Sequence, residues 1–260
     1  MEQKINKYYL IHIQYLGFRY HGWQKQPKLK TIESMIEKTT KFVLGHGNFK
    51  ILGGSRTDSK VSANHSAFEL FINISLDINQ LFKDYNNNLP NDIRVIKIEE
   101  KDKAFNIINS PRIKEYIYLF SFGEKCHPFC APFMGFCKEN LNINLMKQGA
   151  LLFKGKHNFK RYCTKPNPGT MFKREIILSE IRDNNLYTAS FFPKISYAYH
   201  IRAQGFMRYQ VRLIMGQLFS LGKGIIQLDE IKNSLNGLYD KPIRHIAPSS
   251  GLILNKIEFE

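Results

Sequence analysis

The stretch "FKILGGSRTDSKVSANHSAFELFINI", Phe49 to Ile74, reads as a strand, a loop of small residues and a second, longer strand. Its loop, "GGSRTDS", places one arginine and one aspartate, Arg56 and Asp58, among glycines and serines. Two readings of Asp58 are open. Asp and Thr commonly cap turns by hydrogen-bonding nearby backbone, and Arg56 would then only pin the loop. Alternatively, a lone carboxylate faces a polyanionic substrate, with a cation keeping it ionised as base or nucleophile. Small neighbours such as Gly53, Gly54, Ser55, Ser59 and Ser62 would let a substrate approach the backbone closely.

The rest of the chain bears on the choice. It has 260 residues, enough for one large domain or two ordinary ones. Hydrophobic residues make up 43% and aromatics 13%, which fits a globular protein. Lys and Arg number 38 against 22 Asp and Glu, a net charge of +16 that attracts polyanions and makes binding salt-sensitive. Nucleic acid is the leading partner class. The cations are spread along the chain, so folding must assemble any binding surface. No long basic block or lipidation motif favours a membrane, and no uncharged run reaches spanning length. The opening "MEQKINKYYLIHIQYLGF" enters a strand pattern without a signal peptide, so the protein is expected to be cytoplasmic.

Outward from the loop, two units emerge. In the first, residues 8–16 form a strand and "GFRYHGWQKQPKLK" a loop. "TIESMIEKTTKFVLG" is a helix opened by Thr31 and closed by Gly45, with Ile32, Met35, Ile36 and Phe42 facing inward. "DINQLFKDYNNNLP" is a short helix and "DIRVIKIEEK" a strand. The second unit has the strand "SPRIKEYIYLFSF", the helix "NINLMKQGALLFKG", and two or three strands around an Asn-Asn turn in "KREIILSEIRDNNLYTASFFPKISYAYHIRAQG". It continues with a helix over "FMRYQVRLIMGQLFSLGKG", a short helix over "LDEIKNSLNGL" and a closing strand "GLILNKIEFE". The expected fold is α+β, two related domains over residues 1–104 and 105–260 with mainly antiparallel sheets.

Three further features could carry chemistry. Tyr116 and Tyr118 in "KEYIY" share one face of a strand, and either pack in a core or stack on an unstacked base. Arg212 lies on a mostly apolar helix, where a guanidinium needs an anionic partner; Asp58 is a natural one. The cysteines, Cys126, Cys130, Cys137 and Cys163, have no standard zinc spacing, so no metal is expected and the thiols are read as reduced and structural. Asp58 has no clustered carboxylates for a metal-dependent nuclease.

Several motifs in one order resemble the tRNA pseudouridine synthase A family. "YLGFRYHGWQKQPKLKTIESMIE" is similar to Y-D-G-x-x-F-x-G-W-Q-x-Q-P...T-V-Q-x-x-L-E, with Leu16 in place of the Asp. "SRTDSKVSA" resembles the signature G-R-T-D-x-G-V-H-A, and "NNNLPNDIRV" resembles L-P-x-D-I-x-V. "FNIINSPRIKEYIY" aligns with F-H-A-R-F-S-A-x-x-K-x-Y-x-Y, and "GKHNFKRYC" with G-x-H-D-F-x-x-F. "GFMRYQVRLIMGQLFSLGKG" and "IAPSSGLILNKIEF" resemble the two closing motifs. Ser55, Lys60 and Ser62 stand where the signature has Gly, Gly and His, and Asn106 to Ile108 replace H-A-R, which marks a divergent member. A lysine at position 60 is disfavoured if the loop needs positive φ there.

The resemblance implies a pseudouridine synthase fold, two α+β domains forming a basic central cleft, and isomerisation of uridine in tRNA, in or near the anticodon stem at positions 38–40. Asp58 would be the catalytic aspartate, Arg56 its companion in displacing or holding the nucleotide, Tyr116 the residue stacking on the uracil, and Arg212 the salt-bridge partner of Asp58. It also implies a homodimer, with no cofactor, no metal and no obligate protein partner. Alternatives are the same chemistry on another tRNA site or ribosomal RNA, or a non-catalytic RNA-binding protein of this fold.

Overall fold

The computed structural model describes residues 7–237 and 241–259, without the side chains of Pro111 and Arg112. Residues 1–6 of the opening stretch and Leu238, at the end of "LDEIKNSLNGL", therefore lie outside the described residues. The fold is α+β with a mixed but mostly antiparallel strand pattern. Backbone packing divides the chain into two compact units, Met1–Arg112 with Leu254–Glu260, and Ile113–Ile253.

In the first unit the strand order is β4-β1-β3-β10, where β1 is Lys7–Tyr15, β3 Ser62–Ile72, β4 Ile93–Lys101 and β10 Leu252–Phe259. β2, Lys50–Gly53, adds to β3. β1 is central, antiparallel to both neighbours, with Ile11 opposite Phe68 on one side and Ile98 on the other. Its unbroken buried run from Tyr9 to Ile13 means both faces are covered. Leu10 and Ala67 pack under Ile107, with Phe105 and Phe259 around them. On another contact, Phe68 meets the edge of Tyr85 from α2, Ile78–Asn88.

Helix α1, Ile32–Leu44, shows why local chemistry sets boundaries. The Thr31 hydroxyl accepts from Ser34 N, and Gly45 closes the last turn at φ 73. Phe42, expected to face inward, is 71% exposed. At 100° per residue, the buried face defined by Ile32, Ile36, Thr39 and Thr40 leaves position 42 well to the side. Two threonines fill that face instead, and Thr40 bonds the buried Tyr85 hydroxyl at 2.7 Å.

The second unit orders its strands β5-β9-β8-β7, with β5 Pro111–Phe122, β9 Tyr197–Ala203, β8 Lys173–Asp183 and β7 Gly155–Asn158. A short β6, Gly135–Cys137, pairs parallel to β5. Helices α3, Ile143–Leu151, and α4, Gln210–Gly222, pack together, and α5 spans Leu228–Ser234. Close approach of α3 and α4 needs Gly149 and Gly222, because a Cβ on either would overlap Leu221 or Met146. The expected Asn-Asn turn does not join β8 to β9 directly. Residues 184–196 form a longer loop, whose base is tied by Asn184 N to Ser196 O at 2.9 Å and by Asn184 Nδ2 to Tyr187 O. The Asn184 side chain is thus spent on organising the loop rather than on a two-residue turn.

Candidate active site

In the first unit, the loop between β2 and β3 is held by the segment 16–23. Trp23 N donates to Thr57 O at 3.0 Å, and Lys60 N donates to Tyr20 O at 3.0 Å. The buried Thr57 hydroxyl meets the Tyr15 hydroxyl at 2.9 Å, and Val61 N donates to Asp58 O across the turn. Glycines make this contact feasible. A Cβ on Gly17 would overlap the Val61 carbonyl, one on Gly53 would overlap the Trp23 indole, and Gly22 at φ 86 sits against Thr57 and Asp58. Trp23 and Tyr20 are almost fully buried, which makes the segment a rigid backing.

The segment is anchored at its far side too. Leu16 N donates to Asp92 O, Arg19 pairs with the Asp92 carboxylate, and the Tyr20 hydroxyl donates to it at 2.6 Å. Burial alone would raise the Asp92 carboxyl, but the bonds from Arg19 and Tyr20 outweigh it and hold the group below its usual value. Three stretches far apart in sequence, "YLGFRYHGW", "SRTDS" and "LPNDIRV", are therefore one packed assembly.

The unusual residues of the loop have structural roles within it. Lys60 does adopt a left-handed backbone, φ 67, where glycine is favoured, and its ammonium lies 5.5 Å from the centre of the Phe18 ring. The buried Ser62 hydroxyl accepts from Gly17 N at 2.9 Å, and Ser55 is buried as well. Arg56 is exposed and Asp58 half-buried, so both present side chains at the surface of a loop with a fixed backbone.

In the second unit, Tyr116 and Tyr118 share a face of β5 but differ in environment. Tyr118 is fully enclosed. Its hydroxyl donates to Pro248 O at 2.8 Å, its ring meets the edge of Phe219, and burial drives its phenol well above the usual range. Neither Gly135 nor Gly251 could carry a Cβ without pressing on that ring. Tyr118 is a core residue. Tyr116 is buried as well, 8% exposed, and meets Phe206 edge to face at 5.3 Å. Burial lowers the Lys114 ammonium to about 8, on the same strand face as Tyr116. Spacing alone had not singled out Lys114; its position two residues before Tyr116 is the signal.

Arg212 sits in the first turn of α4, half-buried. Its Nε donates to Ala247 O at 2.8 Å, while Ala247 N donates to the Arg212 carbonyl at 3.1 Å. The guanidinium lies 5.1 Å from the centre of the Tyr209 ring, and Tyr209 adopts φ 61 immediately before the helix. Gly216 allows this approach, since a Cβ there would overlap the His245 carbonyl. The "HIAPSSG" stretch thus orients both Arg212 and Tyr118, a role that no local pattern announces.

The structure places Arg56 and Asp58 together in one loop of the first unit, and Tyr116 and Arg212 in the second unit. Among the described residues, no three His, Cys, Asp or Glu side chains come together as a metal-binding group. All four cysteines are free thiols; Cys130 donates to Phe191 O, and burial raises its pKa. No helix among the described residues is long and apolar enough to cross a membrane.

Comparison with known proteins supplies the reaction class. A profile of the tRNA pseudouridine synthase family matches residues 150–260. Over 257 residues the chain is 31% identical to the tRNA pseudouridine synthase A of Thermodesulfovibrio yellowstonii, covering 94% of this chain and 96% of that protein. Proteins of the same name from Clostridium botulinum and Dictyoglomus thermophilum are 29% and 28% identical, covering 94% and 96% of this chain and 96% and 98% of theirs. An end-to-end match at this identity means that the chain belongs to the tRNA pseudouridine synthase A family and is a pseudouridine synthase.

Proposed function

We propose that the protein converts uridine to pseudouridine in tRNA, in or near the anticodon stem, with Asp58 as the catalytic carboxylate. The observation that carries this reading is the Arg56-Thr57-Asp58 loop, whose backbone is fixed by Trp23, Tyr20 and Tyr15 while Asp58 keeps part of its surface. The reaction breaks the N-glycosidic bond, turns the uracil in place and joins its C5 to C1′ of the same ribose. Nothing is oxidised and nothing leaves, so side chains suffice. Asp58 either attacks C1′ or removes the C2′ proton to give a glycal; both routes need an ionised carboxylate held in one place.

In this reading Arg212 pairs with Asp58 and keeps it anionic and oriented, as charge-assisted bonds to a carboxylate do. Tyr116 stacks on the uracil, a contact that tolerates rotation of the base. Arg56, exposed beside Asp58, holds the displaced nucleotide. The target uridine leaves its stack at a cost of a few kcal/mol, offset by pocket and phosphate contacts. The catalytic loop belongs to an N-terminal domain and Tyr116 and Arg212 to a C-terminal one, with the RNA in a basic cleft. The working form is a cytoplasmic homodimer.

Lys60 favours a second reading of the target, though not of the chemistry. A cation two residues beyond Asp58, in a left-handed turn, adds a phosphate contact that would suit a different uridine or a different RNA. Pseudouridine mapping of total RNA tests both. Cells lacking the gene should lose a signal in the anticodon stem, restored by the wild-type gene and not by Asp58→Asn. Loss of a signal elsewhere selects the second reading, and an unchanged map rejects both.

A further inference from the structure

Away from Tyr116 and Arg212, the second unit contains a cavity of about 700 Å³. It lies between the β7–β8 hairpin, the end of α3 and the end of α5. Leu152 and Leu235 give it an apolar lining, and Lys156, Lys173 and Lys232 contribute cations. Glu175 is the one acidic side chain among the residues that line it. The walls are braced: Asn158 N donates to Leu235 O at 3.0 Å, joining β7 to the end of α5, and His157 bonds the Lys154 carbonyl at 2.9 Å. Gly237, at φ 81, leaves room for the Asn158 amide.

The charges are not used up internally. Lys156 and Lys232 make exposed pairs with Glu175 and Asp229, which are weak and easily exchanged for another anion. Arg174 lines the cavity too, but its guanidinium lies toward Gly205, with Nη1 3.7 Å from where a Cβ there would sit, which leaves the lysines as the rim cations. An apolar lining beside exposed cations matches a nucleotide: a flat base for the floor and a phosphate for the rim. In the order β5-β9-β8-β7, the hairpin strand β7 is three strand spacings from β5, about 14 Å. A base in the cavity is therefore not the uracil that Tyr116 would stack on.

We propose that this cavity is a second RNA-binding site, which takes an unpaired nucleotide of the RNA substrate other than the target uridine. The base rests against Leu152 and Leu235, and the phosphate meets Lys173 at the rim. The proposal rests on the RNA-modifying activity but not on the assignment of Asp58.

The test uses purified full-length protein and an unmodified full-length transcript of the tRNA identified by mapping. Asn236→Trp fills the cavity without changing charge, and Lys173→Glu reverses an exposed rim cation. Each should raise KM about tenfold with kcat little changed, as loss of one stacked base or phosphate contact does. Lys173→Glu should also reduce the slope of log KM against log salt by about one, whereas Asn236→Trp should leave it unchanged. Wild-type KM in both variants, with melting temperatures unaltered, overturns the proposal while leaving the catalytic reading intact. Should Asn236→Trp fold poorly, Lys173→Glu decides alone. Binding of uridine 5′-monophosphate that Lys173→Glu abolishes, without any change in RNA KM, assigns the cavity to a free nucleotide and also overturns it.

Discussion

The Asp58 loop and the first turn of α4 are both held by a distant piece of chain, but in different ways. Asp58 is positioned by its neighbours: the bonds from Trp23, Lys60 and Tyr15 engage the backbone or the Thr57 hydroxyl. Arg212 takes part in its own anchoring, since its Nε and its carbonyl both bond Ala247. A change at Asp58 should leave in place the backbone bonds that Trp23 and Lys60 make. A change at Arg212 should remove one of the bonds that hold its helix turn. This is a difference that mutation can expose.

Among changes to the two anchors, the largest expected effect strikes the loop from behind. Gly17→Ala drives a Cβ into the Val61 carbonyl, and backbone must move to relieve it. We expect a loss of about 2–3 kcal/mol from overpacking and about a hundredfold loss of activity from misplacing Asp58. Denaturant unfolding and single-turnover rates check the two together; wild-type values would mean that the loop is not clamped as described. Next is Arg212→Lys, which keeps a charge but has no donor at the Nε position. About 1–2 kcal/mol of stability should go with the Ala247 bond, a fall of several degrees in Tm, together with about a tenfold loss of rate. An unchanged Tm would break the contrast between the two anchors.

A smaller effect depends on pH. Burial, with the neighbouring His65, lowers His12 to about 4, although Glu99 opposes the shift from 3.0 Å away. Its ordinary value is 6.5, so between pH 6.5 and 4 the unfolded chain binds more protons and stability falls as pH falls. His12→Phe should flatten that decline. Glu99, held at about 2 against an ordinary 4.5, adds little to the window above pH 4.5, and most of its contribution is lost below it. Urea midpoints at pH 6.5 and 4.5 measure it, and parallel declines in both proteins would contradict it. The smallest effect is at Lys60→Gly. Relief of the left-handed backbone, about 1 kcal/mol, is partly offset by the lost Phe18 contact, so stability should rise by less than about 1 kcal/mol. A decrease would show that the lysine contributes more to the loop than its ring contact implies.

What the sequence made legible is local. Thr31 and Gly45 mark the ends of α1 because a cap and a left-handed terminus act within a few residues. β1, β3 and β5 are each long enough to show a strand pattern, although their buried runs are continuous rather than alternating. β6 and β7, three and four residues long, show none. Phe42 is hydrophobic, which suggests burial, but the helical angle carries it off the buried face. The candidate residues could be named from motifs, but not their anchors. The Tyr15–Thr57 bond spans 42 residues and the Arg212–Ala247 bond 35, and no local period reports a contact at that separation.

The central claim is that Asp58 and Arg212 act as one unit in catalysis. A double-mutant cycle on pseudouridine formation tests it directly, using single-turnover rates on an unmodified tRNA transcript for Asp58→Asn, Arg212→Gln and the double variant. If the two form one catalytic pair, Asp58→Asn alone should cost at least about 10³-fold and the double variant should be no slower, because Arg212 has nothing left to orient. Rate losses that multiply in the double variant would contradict the pairing, and an active Asp58→Asn would contradict the site itself.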